Sequence, residues 1–99
     1  MIAQIRIYTI NKGEMDKFLK HFQEDIMVLH QKIGVAIVGT WVNRPQNEFI
    51  WVRTYKDKAE LEAKNKELQA AVAAAGVKLG GNVAKMEVRE AESAFGWKG

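Results

Sequence analysis

Hydrophobic and polar residues alternate along four short stretches of the chain, which predicts four β-strands. The stretches cover residues 2–10, 35–43, 49–55 and 82–91. The third is the most informative, because its alternate side chains form two unlike faces. Its aliphatic face carries Ile50 and Val52. Its other face carries Phe49, Trp51, Arg53 and Tyr55. We expect this strand to lie in the middle of the sheet.

Two of the intervening stretches have the spacing of helices. Across residues 15–33 the apolar positions recur at steps of three and four, and Gly34 follows as the expected end of the helix. Asp57 and Glu60 have the spacing of a capping box at the start of a second helix. An alanine-rich run extends this helix until Gly76. The two helices therefore separate the first strand from the second and the third from the fourth.

This order of elements, β-α-β-β-α-β, is that of the ferredoxin-like α+β fold. Residues 44–47 contain the only proline and predict a tight hairpin between the second and third strands. Residues 77–81 predict a loop that turns at two glycines. We expect one domain over residues 1–99, with a four-stranded antiparallel sheet and both helices on one face.

The two faces of the sheet are expected to have different roles. The aliphatic face is predicted to lie under the helices, and it consists of Ile5, Ile7, Val38, Ile50, Val52, Met86 and Val88. The open face is then predicted to carry Tyr8, Ile37, Trp41, Phe49, Trp51 and Tyr55. Such a patch exceeds what a monomer usually exposes, and a second copy of the sheet would cover it. The chain is therefore predicted to form a homodimer or a higher oligomer. Docking on the partner subunit is one role for the tail residues Phe95 and Trp97.

Composition narrows the classes of function. The net charge of +3 is scattered along the chain, so we expect no nucleic-acid partner. The chain has no cysteine, and no His, Asp and Glu set has the spacing of a metal site, so we predict no metal and no cofactor. No apolar run approaches the length of a membrane span, and the first strand begins at the initiator Met. The predicted location is the cytoplasm, without a membrane partner.

Several short motifs resemble the NIPSNAP family. They are Arg6-x-Tyr8-Thr9 with Gly13 ahead of a long helix, Gly39-x-Trp41, and the run from Asn47 through Trp51-Val52-Arg53-Thr54-Tyr55 to Asp57. The resemblance implies a dimeric α/β barrel, in which two ferredoxin-like sheets enclose a cavity, within a superfamily that includes cofactor-free monooxygenases, isomerases and haem-handling enzymes. The family often has His-Leu-Trp where this chain has Trp51-Val52-Arg53, so histidine chemistry is not expected at this position.

The candidate ligand-binding residues are those assigned to the cavity. They are Arg6, Tyr8, Trp41, Asn43, Trp51, Arg53 and Tyr55. Aromatic rings with a few polar groups suit a small organic ligand. Arg6 and Arg53 are suited to clamping a carboxylate or an enolate. The alternative is that these residues only fill a dimer interface, with each arginine stacked on a tryptophan or paired to Glu48 or Glu87.

His30 is a further candidate at the mouth of the cavity. It lies at the edge of the apolar stripe of the first helix, where it is suited to act as a general base or haem ligand. The simpler interpretation is a solvated or helix-capping histidine.

Three functions are consistent with the sequence. The first is binding of a small, largely apolar molecule in the cavity of a homodimer. The second is cofactor-independent oxidation or isomerisation of an aromatic or polyketide-like substrate, with Arg6, Trp41, Asn43 and Arg53 binding the enolate. The third is a structural or interaction module without a ligand. The catalytic residues, the ligand and the reaction do not follow from the sequence.

Overall fold

The computed structural model describes residues 1–78 and 81–97. Its strands are β1 (Ile2–Ile10), β2 (Ala36–Asn43), β3 (Glu48–Tyr55) and β4 (Val83–Glu92). Its helices are α1 (Met15–His21), α2 (Met27–Ile33) and α3 (Lys58–Ala75). A π-helical turn over Phe22–Ile26 joins α1 to α2, and a 3₁₀ turn over Arg44–Gln46 joins β2 to β3. Leu79 and Gly80 of the predicted loop lie outside the described residues.

The four strands form one antiparallel sheet in the order β2-β3-β1-β4. The predicted ferredoxin-like α+β fold is therefore confirmed, including the antiparallel hairpin of β2 and β3. The central strands are β3 and β1, and β4 is an edge strand. The helices cover one face, and the other face is left open.

Local sequence explains the ends of the helices. The Asp57 side chain accepts a hydrogen bond from the Glu60 backbone N–H (2.8 Å), as the predicted cap requires. Gly34 and Gly76 adopt left-handed conformations (φ 87° and 67°) directly after α2 and α3. Both glycines therefore end helices at the positions that the sequence predicts.

The π turn keeps the buried side chains of residues 15–33 in one row. We call residues 15–33 the first helical rod. Its buried residues are Met15, Phe18, Phe22, Ile26 and His30. Four residues turn an α-helix by about 40° more than one full turn, so side chains that are repeatedly four residues apart drift off the buried face. A turn with i to i+5 hydrogen bonds holds one extra residue and cancels this drift. His30 therefore faces the sheet.

The assignment of the two sheet faces was wrong for β1 and β3. Tyr8, Phe49, Trp51 and Tyr55 are buried beneath the helices, and they do not line an open face. The rings of Phe18 and Phe22 pack against Tyr8, Phe49 and Trp51, with the centroids of Phe22 and Phe49 4.7 Å apart. Aromatic side chains bury more apolar area than the shorter aliphatic ones, so covering them beneath the helices stabilises the fold more. The open face is the aliphatic one.

The open face consists mainly of side chains from the two central strands. Its partly exposed aliphatic residues are Ile5, Ile7, Ile50 and Val52. The register places Met86 and Val88 on the helix side, opposite Tyr8 and Arg6, which is the side predicted for them. Both stay exposed, because β4 is the edge strand.

A β-bulge in β2 moves Trp41 to the open face. The register of β2 against β3 shifts between Ile37 and Gly39, so Val38 is an extra residue. Beyond the bulge Trp41 pairs with Ile50 and shares its face, which separates it from Trp51. The Trp41 ring lies directly over Gly39, where a side chain would collide with it. Trp41 remains 53% exposed.

The tail follows β4. Phe95 and Trp97 are both exposed, and Phe95 has a positive φ of 57°. Their docking on a partner stays a prediction. Within residues 1–78 and 81–97, every helix is too short or too polar to cross a membrane.

Candidate functional site

A pocket of about 570 Å³ lies between the sheet and the helices. The sheet contributes Arg6, Tyr8, Trp51 and Arg53. The first helical rod contributes Ile26, Leu29 and His30. The third wall comes from α3 and the residues after it, namely Asn65, Leu68, Gln69, Val72, Ala73, Gly76 and Val77. The pocket is thus mainly apolar on its helical side and carries its charge on the sheet.

Five of the eight candidate residues meet in this pocket. They are Arg6, Tyr8, His30, Trp51 and Arg53. The pocket belongs to a single subunit and lies on the helix side of the sheet, not between two facing sheets as predicted.

The other three candidates lie elsewhere. Trp41 is on the open face because of the bulge. Asn43 is at the end of β2, where its amide donates to Glu48 (3.1 Å) and Gln46 (3.3 Å). Tyr55 faces the helices but is buried in a separate cluster with Val35 and Leu61.

Arg6 and Arg53 share one neutral acceptor. The side-chain amide oxygen (Oε1) of Gln4 accepts a hydrogen bond from Arg53 Nε (2.7 Å) and another from Arg6 Nη1 (3.0 Å). Arg6 also donates from Nε to the Tyr8 hydroxyl (2.8 Å) and from Nη2 to the Met86 sulfur (3.5 Å). The expected pairing of these arginines with Glu48 or Glu87 is absent from the part of the chain that the structure describes.

Trp51 lies beside both guanidinium groups. The Arg53 and Arg6 Cζ atoms are 5.1 and 5.7 Å from the centroid of its ring, within the range of cation–π attraction. The expected stacking of arginine on a tryptophan therefore occurs, but inside the subunit. The Trp51 indole N–H is buried without a hydrogen-bond partner among the described residues.

His30 is held in one tautomer by its neighbours. Its Nδ1–H donates to the Ile26 carbonyl oxygen (2.7 Å), and its Nε2 accepts from Arg53 Nη1 (2.9 Å). A guanidinium can only donate, so Nε2 must carry the lone pair. Burial lowers the pKa of His30 to about 4, although the bond to Ile26 opposes this, and the charges of Arg53 and Arg6 lower it further.

The interpretation of His30 as a solvated or capping residue was therefore wrong. The side chain is only 3% exposed, and it forms part of the inner wall of the pocket rather than its mouth. The reason is the π turn, which rotates His30 from the edge of the apolar stripe onto the buried face.

Sequence reasoning missed the contribution of α3. Asn65 and Gln69 place two amides on the wall opposite the arginines. The available signal was the polar interruption of the apolar stripe between Leu61 and Leu68. A polar residue at an inward position of a helix indicates a cavity or a partner on that side.

The family follows from comparison with known sequences. A sequence model described as NIPSNAP matches residues 3–92, which is most of the chain. This protein belongs to the NIPSNAP family. The resemblance that the short motifs indicated is thus confirmed. No curated protein matches the chain.

Solved structures share the fold of this NIPSNAP protein. An uncharacterized NIPSNAP domain protein from Burkholderia xenovorans aligns over 100% of both chains, with a TM-score of 0.88 and 18% identity. A NIPSNAP family protein from Agrobacterium tumefaciens aligns over 95% of this chain and 94% of its own, with a TM-score of 0.75 and 21% identity. A protein from Nitrosomonas europaea described as an antibiotic biosynthesis monooxygenase covers 96% and 100%, with a TM-score of 0.66 and 11% identity. At these identities the likeness establishes the fold.

Proposed function

We propose that this NIPSNAP protein binds a small organic molecule in the pocket between its sheet and helices, one site in each subunit of a homodimer. The observation that carries the proposal is the pocket itself, because an apolar cavity of about 570 Å³ with a few convergent polar groups is the usual form of a small-molecule site. A module that served only as an interface would have no need of it.

The hydrogen bonds in the pocket favour binding over catalysis. A general base needs a free lone pair within reach of the proton that it removes. The only lone pair of the His30 ring accepts from Arg53, and the pKa of His30 is lowered to about 4. The monooxygenase and isomerase alternatives therefore lack a ready base at this position. The printed description of the Nitrosomonas europaea protein supports them by likeness of fold alone.

The test is to fill the pocket with a side chain. Ala73 is an exposed residue of α3 that lines the pocket, whereas Ala70 is exposed on the same helix and does not line it. Ligand-observed NMR would screen a fixed panel of neutral and acidic aromatic and branched aliphatic compounds. We expect binders of the native protein to keep binding Ala70→Trp and to lose binding to Ala73→Trp. A panel without binders, or binders that ignore Ala73→Trp, would contradict the proposal.

The homodimer is supported by the open face of the sheet. Strands about 4.8 Å apart and eight to ten residues long span roughly 20 by 30 Å. This is comparable to the ~800 Å² that each partner buries in a standard interface. Ile5, Ile7, Ile50 and Val52 give its centre the apolar character of such an interface. The cytoplasmic location stays a prediction of the sequence.

A further inference from the structure

Two cationic side chains meet at the sheet wall of the pocket without an anionic partner. Arg6 and Arg53 come from neighbouring strands, and both donate to the side-chain amide oxygen (Oε1) of Gln4. Their other partners in the pocket, the Tyr8 hydroxyl and the His30 imidazole, are also neutral. Neither arginine has a carboxylate within ion-pair distance over residues 1–78 and 81–97.

Glu90 has the best backbone position to pair with the two arginines, but its side chain is bound elsewhere. Glu90 pairs with Gln4 between β4 and β1, so its side chain is directed to the helix side of the sheet. Its carboxylate accepts from Lys58 Nζ (3.2 Å), at the start of α3. The described part of the chain therefore leaves the sheet wall of the pocket with a net positive charge.

This charge is costly to keep in the empty protein. Arg53 is 5% exposed, and an unpaired buried cation destabilises a fold. Burial lowers the pKa of the Arg53 guanidinium; Tyr55 opposes this effect, and the positive charge of Arg6 adds to it. An anion placed between the two guanidinium groups would relieve both the desolvation and the repulsion.

The two guanidinium groups have hydrogen-bond donors to spare. Each has five N–H hydrogens in a planar fork. Arg53 uses two of them, on Gln4 and His30, and Arg6 uses three, one of which goes to the weak sulfur acceptor of Met86. The remaining hydrogens have no acceptor among the described residues. A planar acceptor with two oxygens fits a guanidinium fork best, and a carboxylate is such a group.

The other walls describe the rest of the ligand. The helical side is mainly aliphatic, with Leu29, Leu68, Val72 and Ala73. An apolar wall favours a monoanion over a phosphate monoester, because a singly charged carboxylate loses less hydration energy on entry. We infer that the ligand is an organic carboxylate with an apolar body, whose carboxylate binds between Arg6 and Arg53. This inference rests on the proposed function of the pocket and specifies the chemical class of its ligand.

The test compares acids with their neutral amides. The probes are 2-naphthoic acid, indole-3-acetic acid and octanoic acid, each with its primary amide, titrated by calorimetry at neutral pH. We expect at least one acid to bind about tenfold or more tightly than its amide, since hydrogen bonds to charged groups are the stronger ones. Added NaCl should weaken the binding of the acid and leave the binding of the amide unchanged.

Arg6→Gln is the decisive variant, because Arg6 is only partly buried and its replacement should fold. It should remove most of the preference for the acid, while Arg44→Gln, at an exposed arginine in the 3₁₀ turn, should keep it. Equal binding of acid and amide by the native protein would overturn the carboxylate inference and leave the pocket as a binding site. A preference for the acid that survives Arg6→Gln would also overturn it. If no acid and no amide binds, the proposed function fails together with the inference.

Discussion

His30 connects the pocket to the stability of the fold. Its imidazole is enclosed by Ile26, Arg53 and Trp51, with its ring centroid 5.2 Å from that of Trp51. A proton on Nε2 would remove the acceptor that Arg53 uses and would add a third positive charge beside Arg53 and Arg6. The folded protein therefore resists protonation of His30 much more strongly than the unfolded chain does.

We predict that acidification weakens the fold through His30. The pKa is lowered from 6.5 to about 4 in the folded state, so the unfolded chain binds more protons between these values. The free energy of unfolding is therefore highest above pH 6.5, where His30 is neutral in both states, and it falls as the pH drops towards 4. The loss is on the order of 3 kcal/mol, from ~1.4 kcal/mol for each pKa unit. Urea unfolding across this pH range measures it.

The matched variants are His30→Gln and His21→Gln. A glutamine at position 30 cannot take up a proton, so the decline in stability towards acid should become shallower. His21 lies outside the pocket, where its ring contacts Asp25 (2.8 Å) and the carbonyl oxygen of Lys78, and its replacement should leave most of the decline in place. Equal pH profiles for the native protein and His30→Gln would refute the role of His30.

At the scale of elements, the periodicity along the chain predicts the order of helices and strands but not their rotation. Alternation separates the two faces of a strand, yet both faces here carry large apolar side chains, so the pattern does not say which one the helices cover. The volume of the Phe18 and Phe22 rings favours aromatic partners, and that depends on the assembled layers. The bulge at Val38 is likewise invisible in the pattern, because it shifts the register by a single residue. For these reasons the arginines and Trp51, which the sequence groups together, do line one pocket, but on the other side of the sheet and without Trp41.

The π turn is the element whose effect the sequence hides most completely. The buried residues Phe18, Phe22, Ile26 and His30 are separated by steps of four. A regular helix of this sequence would rotate His30 by about 120° relative to Phe18. These four residues therefore lie on one face only if the helix contains one inserted residue.

We predict that deletion of Gln23 is tolerated. Gln23 is exposed within the π turn, and its removal would change the buried spacing to alternating steps of three and four, as in a regular α-helix. His30 should keep its contact with Arg53, because the flanking α-helical segments keep their orientation. Thermal unfolding followed by circular dichroism should show a cooperative transition close to that of the native protein.

Deletion of Lys66 is the control for this experiment. Lys66 is exposed within the regular α3, between the buried residues Leu61 and Leu68. Because α3 is a regular helix without an inserted residue, removing Lys66 would rotate Leu68 by about 100° away from the core. We expect severe destabilisation. A Gln23 deletion as damaging as the Lys66 deletion would show that the π turn is not an insertion in a regular helix.

At the scale of the whole molecule, the two faces of the sheet have separate roles. The helix side holds the pocket with Arg6 and Arg53, whereas the open side presents Ile50 and Val52 beside Trp41. Alternate residues of the same strands supply both, so a substitution on one side should leave the other intact. Ligand binding and assembly can therefore be tested independently.

The last prediction is that a charge on the open face separates the subunits. Val52 lies near the centre of this face, and Val52→Glu would bury a carboxylate in the proposed interface, which costs several kcal/mol. Analytical ultracentrifugation should give twice the 11.2 kDa chain mass for the native protein and a single chain for Val52→Glu. Val28→Glu places the same charge on the exposed outer surface of α2 and should remain dimeric. Monomeric native protein, or a dimer that survives Val52→Glu, would rule out the open face as the contact.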